Sequence, residues 1–126
     1  MGSINAHLLK KDIDMTVKDM RRADAVSLMN VLSQCKVSSV SDKGKRIGLV
    51  MMLPGLRRVG EELDALRRDC FGRLSESEAR DVIEGWLTET VPMECVQLTE
   101  EDLACIVDEN KGLSCGQLSL LAVLIG

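Results

Sequence analysis

The run KRIGLVMMLPGLRRVGEELDALRRDCFGR, residues 45–73, decides the fold. Within it Leu49, Met52, Leu56, Val59, Leu63, Leu66 and Cys70 recur at intervals of three and four. An α-helix turns once every ~3.6 residues, so this spacing stacks the apolar side chains into one stripe about three heptads long. Leu49, Met52, Leu56, Val59, Leu63 and Leu66 are read as a seam that packs a core or meets another copy. Arg57 with Glu61, Arg58 with Glu62 and Asp64 with Arg68 stand four apart, where ion pairs support a helix from its wet face. Pro54 lacks an N–H and its ring crowds the carbonyl four residues earlier, so a kink or break is expected between Met51 and Gly55. The run Val50-Met51-Met52-Leu53 reads as core filling by flexible thioethers, since Met52 already belongs to the seam.

Upstream, residues 12–18 alternate strictly, with Ile13, Met15 and Val17 on one side, which predicts a half-buried strand. Asp19 then stands where a helix over residues 20–36 needs a cap, with Ala25, Leu28, Met29, Leu32 and Cys35 on its inner face. Residues 37–44 are rich in Ser and Gly, so the chain turns, and the two long helices become antiparallel neighbours. Downstream, Ser75 and Glu78 form a capping box ahead of a helix burying Ala79, Val82, Ile83, Trp86 and Leu87. Residues 91–97 alternate again, with Pro92 suited to an edge, and pairing them with 12–18 satisfies both backbones. Two more boxes follow, Thr99 with Asp102 and Ser114 with Gln117. Between them Leu103, Ile106 and Val107 mark a helix that Asn110-Lys111-Gly112 stops. The last predicted helix, 115–125, is apolar nearly all round and must be buried in its own fold or in a partner.

The expected fold is therefore mainly α, with a minor two-stranded ribbon: an antiparallel helical hairpin packed with further short helices. The length fits one domain over residues 1–126. If it subdivides, a helical core over 1–88 is followed at 89–126 by a strand and two short helices. A chain of 126 residues buries about two-thirds of its unfolded surface and needs no metal or disulfide to fold. With one Trp, one Phe, no Tyr and seven Met, its core must be aliphatic.

The net charge of −4 hides a division. Residues 1–73 carry 14 Lys/Arg against 9 Asp/Glu, whereas residues 74–126 carry 2 against 11. Either the halves attract each other, within a chain or between copies, or the first half presents a nucleic-acid face. The first reading is favoured, because the net acidic field (pI near 5.0) opposes a polyanion. The basic candidates are Arg57, Arg58, Arg67 and Arg68, with Arg21-Arg22, Lys43, Lys45 and Arg46 nearby in sequence. Acidic residues interleave with them, and aromatic rings for stacking bases are missing.

No catalytic constellation emerges. His7 is the only imidazole and has no nucleophile beside it in a recognisable motif. Glu61-Glu62 and Glu100-Glu101-Asp102 read as solvated or first-turn charges complementing a helix dipole. Gly44-Lys45-Arg46-Ile47-Gly48 lacks the spacing of a phosphate loop. The five cysteines, Cys35, Cys70, Cys95, Cys105 and Cys115, form no CxxC pair, so reduced thiols are expected, with no metal and no cofactor. No segment reaches the ~20 apolar residues of a membrane span, and no leader pattern is seen, so a cytoplasmic location is expected.

The order of pieces resembles small bacteriophage- or prophage-encoded proteins of uncharacterised function. The resemblance is carried by the short first strand, the Leu28-Met29-Asn30-Val31-Leu32 helix, the turn into Lys43–Ile47 and the long helix with Leu56, Val59 and Leu63. The tail from Pro92-Met93-Glu94 to Thr99-Glu100-Glu101-Asp102-Leu103 fits the same pattern. It implies a non-enzymatic accessory role in virion assembly inside a host cell, and it transfers no functional residues. The expectation is a non-catalytic protein-interaction module that forms homo-oligomers. The alternative is a nucleic-acid-binding regulator using the basic residues of the first half.

Overall fold

The computed structural model describes residues 15–125. The element order is β1 (Met15–Arg21), α1 (Arg22–Gln34), α2 (Lys43–Arg73), α3 (Glu76–Thr88), β2 (Thr90–Val96), α4 (Glu100–Glu109) and α5 (Cys115–Ala122). The fold is mainly α, with β1 and β2 forming a two-stranded antiparallel ribbon. Ile13 and His7 lie outside the described residues.

The 31-residue α2 is the axis of the molecule, about 46 Å long at 1.5 Å per residue. Asp42 caps it, accepting from the Gly44 and Lys45 amides. Of the kink or break expected between Met51 and Gly55, the break is not found, and the helix is continuous through Pro54. Pro54 is exposed while Met52 and Leu56 beside it are buried, so the lost hydrogen bond falls on the wet side and packing holds the other side together. None of the three expected i,i+4 ion pairs closes; the one α2 makes among the described residues is Asp69–Arg73, 2.6 Å. Exposed side chains gain little from closing such pairs.

Two 13-residue helices cover the seam in succession. α1 packs antiparallel on the first part of α2, where Ala25, Leu28, Val31 and Leu32 join Leu49, Met52, Leu56 and Val59 in the main core. α3 folds back on the end of α2, where Leu63 and Cys70 meet Ala79 and Ile83 in a smaller core. Val26 and Trp86 pack against both cores. Beyond Leu63 the molecule is thus a two-helix arm.

The ribbon corrects the expected start of the chain. β1 continues to Arg21, so Asp19 pairs with Pro92 inside the strand and caps nothing; Arg21 occupies the N-cap, where its side chain pairs with Asp24 and makes no capping bond. The apolar side also departs from the expected one: Val17 is 66% exposed and Met20 buried, while Met15 stays half-buried against the main core. Cross-strand partners share a face, and Lys18 and Thr16 stand opposite Met93 and Cys95, both buried. The partner strand, not the alternation within β1, therefore sets which side is inner. The buried Thr16 hydroxyl has no hydrogen-bond partner among the described residues.

All three capping boxes form, at Ser75/Glu78, Thr99/Asp102 and Ser114/Gln117. α4 stops at Glu109 and Gly112 takes φ +102°, the left-handed conformation that glycine adopts without strain. α5 ends at Ala122, earlier than expected. The chain beyond it turns so that Leu124 accepts from the Leu98 amide and Ile125 bridges Leu98 in parallel. Leu121 and Leu124 are fully buried in this chain's own core. Lys18 reaches across to donate to the Val123 carbonyl, 2.7 Å, a cation at the negative end of α5.

Candidate functional site

The seam itself is closed to any partner. Leu49, Met52, Leu56, Val59 and Leu63 are buried within the chain, and Leu66 is half-buried against the smaller core. An interaction surface must lie elsewhere, and what the seam's burial leaves outside defines the candidates.

The charge division is partly resolved inside the molecule. Lys45, in the first turn of α2, reaches Asp102 at 2.6 Å, and Arg22 reaches Glu89 at 2.7 Å. The Arg22 guanidinium also lies 4.5 Å from the Trp86 ring centroid and donates to the Trp86 carbonyl, tying α1 to the end of α3. The loop between α1 and α2 docks on α4: Ser38 and Ser39 donate to the Glu109 carboxylate, and the Lys36 backbone exchanges hydrogen bonds with the Asn110 side chain. The Glu109 carboxyl is held below its usual range, chiefly by the Ser38 hydroxyl and the Ser39 amide. Burial would push the Asp102 carboxyl up. Hydrogen bonds from the Lys45 ammonium and from the Thr99 amide and hydroxyl outweigh that and hold it low.

The four basic candidates do not make one patch. Arg57 and Arg67 line a groove of about 440 Å³ between α1 and α2, together with Glu61 and Asp64. Arg58 lines a separate groove between α2 and β2, beside Glu62 and Glu94. Arg68 is exposed and lines neither. None of the four makes an ion pair among the described residues. Arg57, Arg58 and Arg67 thus stand among carboxylates and apart from Arg68, which is a poor track for a phosphate backbone.

The arm carries a further groove. Arg67, Phe71 and the α3 residues Ser77, Arg80, Ile83 and Glu84 line an open groove of about 630 Å³ on one flank of the α2–α3 pair. Phe71 is 52% exposed, although it is one of only two aromatic residues in the chain. The cause is geometric: Cys70 takes the inward seam position, and the next residue points about 100° away. Past the reach of α1 no element but α3 lines that side among the described residues. Val82, expected in the core of α3, is instead 44% exposed on the same two-helix arm. Arg80 pairs with Glu76 at 2.6 Å, whereas Arg67, Arg68, Asp81 and Glu84 make no ion pair among the described residues. Sequence reading passed over this groove because it ranked Phe71 neither with the seam nor against it. An aromatic residue one position out of register with an apolar stripe was the available signal.

Cys70 and Cys95 are buried, Cys35 and Cys105 half-buried and Cys115 exposed, and burial pushes the Cys35 and Cys95 thiols up, toward the protonated form. Among the described residues no three His, Cys, Asp or Glu side chains gather as metal ligands do, and no helix is long and apolar enough to cross a membrane. No family model, no curated protein and no solved structure matches this chain.

Proposed function

We propose that this protein is a non-catalytic interaction module that works by associating with copies of itself. The observation that carries the reading is the arm: its two helices are held together by a core of four buried residues, while Phe71 remains on the open flank beside Arg67, Asp81 and Glu84, which make no ion pair among the described residues. A soluble monomer gains nothing from ordering an exposed aromatic side chain there, whereas an interface anchored by such a ring gains both area and specificity. The resemblance of the sequence to small phage-encoded proteins fits an accessory role in particle assembly, where self-association is the common mechanical task. The placing of Arg57, Arg58 and Arg67 among carboxylates, in separate grooves, supports protein over nucleic acid as the partner.

Light scattering coupled to size exclusion, at micromolar protein and at low and high salt, tests the reading. The expected result is a mass above the 13.8 kDa monomer at low salt that declines as salt screens the charged rim. A monomer under all conditions contradicts it. Retention on duplex DNA that weakens steeply with salt would instead favour the nucleic-acid regulator.

A further inference from the structure

We infer that the open flank of the α2–α3 arm is the self-association surface, with α2 of one copy lying against α3 of a second copy. This rests on the self-association reading and names the surface it uses. The argument is charge complementarity around an apolar centre. On one bank of the groove α2 presents Arg67, with Arg68 exposed next to it in the chain but outside the lining; on the other, α3 presents Asp81 and Glu84 beside the Glu76–Arg80 pair. All four are exposed and unpaired among the described residues, so the two banks do not satisfy each other within the chain.

A two-fold axis along the arm corrects this. It lays each α2 over the partner's α3, and because the hairpin is itself antiparallel, residues at equal height then face each other: the arginines of each copy meet the carboxylates of the other, twice. Phe71 from both copies enters the space between, and two exposed two-helix arms become a four-helix bundle, the arrangement that buries such arms most fully. A polyanion in the same groove would meet Asp81 and Glu84, and a purely apolar partner would leave all four charges unanswered.

Sedimentation equilibrium of the full chain tests this with two charge-reversed variants, Arg67→Glu/Arg68→Glu and Asp81→Arg/Glu84→Arg, and with Phe71→Asp. Each alone is expected to weaken dimerisation at low salt at least ~10-fold, since like charges then face each other at both contacts. Mixing the two charge-reversed variants is expected to restore the dimer mass, because a heterodimer recovers attraction at both. If the wild type dimerises and all three variants do so equally well, this surface is wrong while self-association stands. If the wild type is monomeric throughout, both fall. Circular dichroism checks that the variants are folded. Should any not be, Phe71→p-benzoylphenylalanine gives a second reading: photo-crosslinking to a second copy's 77–84 segment supports the arrangement, and crosslinks only elsewhere overturn it.

Discussion

Two side chains show how position sets the worth of a polar group. The Thr16 hydroxyl is buried in the ribbon without a partner among the described residues. Thr16→Val keeps the shape and removes the desolvated oxygen, so chemical denaturation is expected to show a gain of about 1 kcal/mol. Asp102 is the opposite case, buried but bonded to Lys45 and Thr99. Its carboxyl is held below the aspartate range in the folded chain. Its stabilising contribution is therefore complete above the unfolded value near pH ~3.9 and is lost as pH falls through the lower folded value. Asp102→Asn should lose about 1–3 kcal/mol at neutral pH and much less in acid, read from urea melts at a series of pH values. An equal loss at all pH values would show that the ion pair contributes nothing. The capping role of Asp102 was visible three residues after Thr99. Its bond to Lys45, 57 positions away, was not, because no local pattern relates the two.

Among the elements, those stated by local chemistry were legible beforehand. The three capping boxes, the seam from Leu49 to Cys70 and the turn at 37–44 follow from bonds or periods within a few residues, whereas the pairing of the two strands follows from the need to satisfy both backbones and its antiparallel direction comes from the structure alone. The errors fall where a neighbour decides. Met15 and Val17 alternate as an inner strand face should, yet the buried Met93 and Cys95 draw the other face of β1 inward. Val82 has the spacing of a core residue, but it lies exposed on α3, which has too few neighbours to bury both of its sides. The candidate groove was invisible for a related reason, since it exists only where one helix outruns its cover. Because the Ser75 box starts the helix that closes the arm, Ser75→Ala is expected to cost about 1 kcal/mol in a thermal melt. No change would mean that the exposed start of α3 is held by the arm's packing alone.

Over the whole molecule, one long helix is shared by two unequal cores. Leu56 is fully buried in the main core and Leu63 is 4% exposed in the smaller one. A cavity under many neighbours relaxes less than one between two helices. Leu56→Ala should therefore cost about 4–5 kcal/mol and Leu63→Ala about 2–3, by denaturant titration. The reverse order would mean that the arm, not the body, is the stable part. This division supports the functional account: the body spends the apolar seam on its own folding, and the arm keeps its unspent side for a second copy. Hydrogen exchange at high dilution and at high protein concentration tests that most directly. The account predicts that residues 49–63 are protected equally in both, while protection over 64–71 and 77–84 rises with concentration. Seam amides that become protected only when the protein is concentrated would contradict it, because the seam would then belong to the assembly and not to the fold.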